Sequence, residues 1–203
     1  MQRKLAFGLV LGVAAALLIA SPSQAGKFNK VVSIGDAAPK WSDAAGVDGK
    51  PHGLADYKEA KLVVQIFSCN HCPVAQLYED RLVELQKNYK DKGVQLIAIS
   101  VSNMEADELP AMKVRSESRR FNFPYLHDAT QKVGRDYGAT ATPQVFVLDA
   151  NRKIVYMGSI DDSWAEPDQV KKPYLRDAID ATLQGKTPTV TETKAKGCGI
   201  EYE

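Results

Sequence analysis

Residues 62–89 constrain the fold of this 203-residue chain more than any other stretch. Leu62-Val63-Val64-Gln65-Ile66-Phe67 is an apolar run rich in β-branched side chains, which predicts a buried strand. Beyond it Val74, Leu77, Tyr78, Leu82, Leu85 and Tyr89 recur at spacings of three and four, which predicts a helix with one apolar face. Ser68-Cys69-Asn70-His71-Cys72-Pro73 joins the two, so both cysteines fall where a strand hands over to a helix.

That position carries chemistry. The first turn of a helix has unpartnered N–H groups and the positive end of the macrodipole, so a Cys69 thiolate is expected to be stabilised and its pKa lowered. Cys69 is therefore the expected nucleophile. Cys72, three residues on and more enclosed, is the expected resolving thiol, placed to attack a mixed disulfide on Cys69. Pro73 suits the first helical turn, where its missing N–H forfeits little. His71 can add positive charge or a hydrogen bond to the thiolate, making the disulfide more oxidising, and Asn70 beside it is grouped with it as a tuning residue. The pair also reads as half of a zinc site or as two unrelated core cysteines. A structural zinc site wants a second Cys/His pair, however, and downstream the chain offers only His127 and Cys198.

Toward the start, Arg3 and Lys4 precede an apolar stretch, Ala6 to Ala20, and then Ser21-Pro22-Ser23-Gln24-Ala25. This pattern predicts a signal peptide over residues 1–25, cleaved before Gly26. The apolar stretch is shorter than the roughly 20 residues of a spanning helix, and an uncleaved anchor is the alternative. An exported protein of the periplasm or cell envelope follows, touching a membrane only through that segment. The whole chain has 26 Lys+Arg against 25 Asp+Glu, a balance that gives no case for nucleic acid as a partner. Three cysteines in an exported chain leave one over when a pair is oxidised.

Residues 26–60 read as an N-terminal extension with a short edge hairpin around Gly46 to Gly53, and with His52 as an exposed turn residue. Val94 to Val101 predicts a second buried strand, so strand, helix and strand make a parallel crossover. From Asn103 to Arg120, acids (Glu105, Asp107, Glu108) precede bases (Lys113, Arg115, Arg119, Arg120), which reads as a solvated helix with Pro110 near its start. A short extended piece covers Phe123 to Asp128, with His127 read as structural, and a short helix covers Lys132 to Tyr137. Gln144–Asp149 and Lys153–Gly158 predict an antiparallel hairpin. Pro143, just before it, suggests a special backbone geometry such as a cis bond. Asp161 and Asp162 read as surface residues of a loop, and Tyr174 to Leu183 as the last helix. The domain spans 26–184. Residues 185–203 form a polar tail carrying Cys198, long enough to bring that thiol to the active pair.

Gly35-Asp36-Ala37-Ala38-Pro39, Cys69-Asn70-His71-Cys72-Pro73 and Ala141-Thr142-Pro143 together resemble the redoxin, or peroxiredoxin-like, branch of the thioredoxin superfamily. Ile160 to Asp162 and Gly197 to Ile200 are similar to elements of an exported subgroup. The resemblance implies an α/β fold with a central mixed sheet flanked by helices, a cis Pro143 against the cysteine pair, and a Thr142 backbone that binds an extended substrate segment. It implies no cofactor. Peroxiredoxins carry a Thr where this chain has Ile66 and a thiolate-stabilising Arg near the place of Thr142-Pro143, and many thioredoxins bury an acid where this strand has only Gln65. The leading function is a thiol–disulfide oxidoreductase acting on exported protein thiols, with Cys198 as a possible additional redox thiol. A thiol peroxidase and a Cu(I)-binding protein using Cys69, Cys72, His71 and Cys198 are the alternatives.

Overall fold

The computed structural model describes residues 26–203, so the expected signal peptide lies outside the described residues. Its centre is β3 (Leu62–Phe67), every residue of which is buried. It pairs in parallel with β4 (Val94–Ser100) and antiparallel with β7 (Gln144–Leu148). A strand flanked on both sides and covered on both faces has no polar face, which is why this run reads as continuously apolar. β4 continues in parallel to β5 (Tyr125–His127), and β7 continues antiparallel to β8 (Ile154–Gly158). The far edge is the hairpin of β1 (Ala44–Gly46) and β2 (Pro51–His52), giving the order β2-β1-β5-β4-β3-β7-β8.

The pleat divides the core in two. Val64 and Ile66 pack with α1 (Pro73–Tyr89), α2 (Leu109–Ser118) and α4 (Tyr174–Leu183). Val63 and Phe67 face the other way, onto α3 (Lys132–Tyr137), the N-terminal extension and the C-terminal residues Ile200 and Tyr202. There Phe67, Tyr137 and Phe146 meet edge to face, with centroids 5.1–5.7 Å apart.

Several residues lie where the sequence pattern did not put them. Leu77 is 48% exposed, because it shares a stripe with Arg81 rather than with Tyr78, Leu82, Leu85 and Tyr89. Glu79 is buried instead, accepting from Arg115 (2.7 and 2.9 Å) and Arg119 (2.8 Å). Bases expected on a solvated helix thus clamp a buried acid. Asp161, expected at the surface, is buried and accepts from Tyr78 Oη (2.5 Å) and Arg81 Nη1 (2.9 Å). His52 lies half-buried in β2, hydrogen-bonded to Tyr57 Oη at 2.8 Å and Asp48 at 3.1 Å. His127 has the structural role expected of it, with Nε2 3.0 Å from the Ser102 carbonyl.

Phe146→Ala should lower the unfolding free energy by about 3–5 kcal/mol, the usual cost of emptying an aromatic site in a packed core. Leu77→Ala should change it by no more than about 0.5 kcal/mol. Urea denaturation of the two variants checks the contrast.

Candidate active site

β3 ends at Phe67, Ser68 N donates to the Ile99 carbonyl at 3.0 Å, and the chain turns through Cys69-Asn70-His71 into α1. Cys72 is the capping residue of that helix, its Sγ accepting from Ala75 N at 3.4 Å, and Pro73 opens the first turn. Both sulfurs are free thiols packed in one buried cluster; Cys72 is fully buried and Cys69 is 3% exposed. A cleft of about 550 Å³ opens beside Cys69, lined also by His71, Met104, Thr142 and Tyr202 but not by Cys72.

The turn before β7 closes the site from the other side. β6 (Ala141–Thr142) leads into a cis Thr142–Pro143 bond. Thr142 Oγ1 lies 3.5 Å from Cys69 Sγ, and the Thr142 carbonyl oxygen is 3.0 Å from Cys72 Sγ. The tail returns here as β9 (Cys198–Gly199), antiparallel to β6 with Cys198 opposite Thr142. Cys198 packs against the pair. Gly197 permits the approach, since a Cβ there would fall 1.9 Å from the Thr142 oxygen. Ile200 N, bonded to the Thr140 carbonyl at 3.0 Å, and Tyr202 Oη, bonded to the Ala139 carbonyl at 2.7 Å, hold the segment down.

Asn70 braces the loop. Its Nδ2 donates to the Ala106 carbonyl (2.7 Å) and its Oδ1 accepts from Tyr125 Oη (2.9 Å). His71 Nε2 lies 3.9 Å from Cys69 Sγ, and its Nδ1 is bonded to Asp107 Oδ2. Asp107, in the short turn Glu105–Asp107 after β4, is fully buried and also accepts from Asn70 N (2.6 Å) and His71 N (3.1 Å). It is the site residue that sequence reasoning passed over, having placed it among solvated acids. Topology held the signal: β3 and β4 are parallel neighbours, so the loops leaving their carboxyl ends must converge. Cys69, His71 and Asp107 bring possible metal-ligating atoms within 4.8 Å of one another. The carboxylate is already occupied by three N–H groups, which leaves Cys69 Sγ and His71 Nε2 as the pair with open valence.

The two thiols titrate as one unit. With their remaining proton on Cys69, the Cys72 sulfur receives that S–H first, together with Cys198 and the Ala75 N–H, and is drawn down to about 4 although burial opposes this. Cys69 is correspondingly pushed well up, by its bond to Cys72, by burial and by the charge of Asp107. One thiol of the pair is thus lowered and the other raised, because the two share a single proton. With the proton on Cys72 instead, that thiol donates to the Thr142 carbonyl and the charge moves to Cys69. Cys198 is pushed up to about 11, chiefly by burial.

A family model described as Redoxin matches residues 33–172. The thiol-disulfide oxidoreductase ResA of Bacillus thuringiensis is 30% identical over 127 residues, covering 61% of this chain and 68% of that one. Among solved structures, an uncharacterized conserved protein from Geobacillus kaustophilus is 34% identical, with a TM-score of 0.78 over 84% of this chain and 92% of that one. A thioredoxin-family thiol:disulfide interchange protein from Chlorobium tepidum is 27% identical, with a TM-score of 0.54 over 66% of this chain and 91% of that one.

Thiolate absorbance of the reduced protein should reach one equivalent for the pair well below the ordinary thiol value of 9.0 and then stay level through neutral pH. Below the ordinary thiol value of 9.0 the folded pair binds fewer protons than the unfolded pair, and above it more. The pair's contribution to stability should therefore grow as pH rises toward 9.0 and decline beyond, in denaturant titrations on both sides of that value. Cys72→Ser should flatten both limbs.

Proposed function

The chain belongs to the Redoxin family and is a thiol–disulfide oxidoreductase, and we propose that Cys69 and Cys72 carry its exchange with protein thiols and disulfides. The observation that carries this reading is the contact of two free sulfurs at the entrance of α1, backed by the cis Thr142–Pro143 turn. Cys69 is the nucleophile because the cleft reaches it and not Cys72. Its sulfur attacks a substrate disulfide, an S–S bond forms to Cys69, and one substrate sulfur departs with the electron pair of the broken bond. Cys72 then attacks Cys69, closes the Cys69–Cys72 disulfide and releases the second substrate thiol. The substrate gains two electrons and the pair loses two; the reverse sequence oxidises a dithiol.

Cys198 is the additional thiol. Attack by its sulfur on Cys72 of the Cys69–Cys72 disulfide yields a Cys72–Cys198 disulfide and frees Cys69 for another exchange. Thr142 and Pro143 form the substrate-binding wall, while His71 and Asn70 shape the thiol environment. The Arg3-Lys4 start, the apolar stretch to Ala20 and the small residues before Gly26 support export to the periplasm or cell envelope. There the partners are exported proteins and a redox protein that renews the pair.

Mixing each reduced variant with a disulfide-bonded model protein tests the assignment. Cys72→Ser should accumulate a covalent complex through Cys69, and Cys69→Ser should lose at least about 99% of the exchange rate, in keeping with loss of a nucleophile. Full exchange by Cys69→Ser would overturn it. Cys198→Ser should shift the reduction potential of the Cys69–Cys72 couple; an unchanged potential would remove the tail thiol from the cycle.

A further inference from the structure

We propose that Asp107 is a positioning residue for the redox pair, holding His71 in the tautomer whose Nε2 exchanges a proton with Cys69. The proposal rests on Cys69 being the nucleophile and adds the route of its proton. A fully buried carboxylate is costly unless its lone pairs are satisfied. All three of its satisfying partners lie in the Cys69–Cys72 loop: Asn70 N, His71 N and His71 Nδ1. The turn that carries it is held in return, because Ala106 O accepts from Asn70 Nδ2 and Asp107 N donates to Met104 O at 2.8 Å.

Chemistry fixes the tautomer. An ionised carboxylate only accepts, so the proton between Asp107 and His71 belongs to Nδ1, and in the neutral ring Nε2 is an open acceptor. That nitrogen is the one 3.9 Å from Cys69 Sγ. As Cys69 attacks a disulfide, its S–H proton passes to Nε2. The ring becomes an imidazolium between thiolate and carboxylate, and the proton then goes to the departing substrate thiolate.

The same geometry gives Asp107 two opposite effects. Acting directly on Cys69, its negative charge disfavours a thiolate, adding to the larger effects of the bond to Cys72 and burial. Acting through His71, it favours the ion pair. The other titratable groups facing this cleft are Tyr202, Glu201 and Glu203 from the tail, with Tyr125 behind Asn70. None of these bonds to the imidazole among the described residues.

The test uses the full chain carrying Cys72→Ser and Cys198→Ser, so that Cys69 is the sole thiol, and follows its alkylation by iodoacetamide across pH. Asp107→Asn preserves an oxygen for both backbone N–H groups but turns the atom facing Nδ1 into a donor, forcing the ring proton onto Nε2. Alkylation at neutral pH should fall at least about tenfold, below the usual range for a positioned acid–base group. In a His71→Gln background the sign should reverse, Asp107→Asn now raising the rate. A fall of equal size in both backgrounds would mean a merely structural role and would overturn the proposal. So would nitrogen NMR of the unsubstituted reduced protein showing neutral His71 protonated on Nε2. Neither readout needs a protein substrate, so failure here is distinguishable from failure of the exchange reaction in Cys72→Ser and Cys69→Ser.

Discussion

The antiparallel register of β3 on β7 is the constraint on which the site depends. Phe67 stands opposite Gln144, so the residues just beyond each strand end, Cys69 to Cys72 on one side and Thr142-Pro143 on the other, come to face each other. A slip of one residue would turn every side chain of the pair to the opposite face, exchanging the α1 side of the core for the α3 side. The two half-cores forbid that, since Val64 and Ile66 fill one and Val63 and Phe67 the other. Sulfur chemistry at the helix entrance is therefore held by packing several residues away from any sulfur.

Buried acids give this α/β domain its second organising theme. Glu79, Asp107 and Asp161 each sit in the interior with donors supplied from distant sequence: Arg115 and Arg119, the loop at Asn70-His71, and Tyr78 with Arg81. Each links two segments that the sheet alone leaves unconnected. Glu79 ties α1 to α2, Asp161 ties the loop after β8 to α1, and Asp107 ties the turn after β4 to the redox loop. A buried charge with a partner removed is strongly unfavourable, so these links also specify which segments may meet.

How far the chain could be read from its sequence follows from the same distinction. β3, α1, β4, the β7–β8 hairpin and α4 were legible because each carries its signal locally, the strands as unbroken apolar runs and α1 as a spacing of three and four, and Pro73, Gly138 and Pro143 mark ends and turns. The place of Cys69 and Cys72 between strand and helix was legible because their spacing and setting lie within one short stretch. Asp107 was not, since its meaning comes from an imidazole 36 residues earlier and its neighbours Glu105 and Glu108 make it look like one of a solvated run. The same blindness hid Asp161, whose hydroxyl donor is 83 residues away. Length showed that Cys198 could reach the pair. Only the β6–β9 pairing shows that it arrives opposite Thr142 and that the glycine before it is shaped for the approach.

That pairing leaves the backbone edge at Thr142 already taken. An extended chain that sought this edge would compete there with a rival that is covalently tethered and so present at an effective concentration no dilution can lower. Apparent affinity at this edge is reduced by the fraction of time β9 stays seated. Selectivity then belongs to partners that outlast the contest, by lodging in the cleft beside Cys69 or by being caught covalently there before the tail returns.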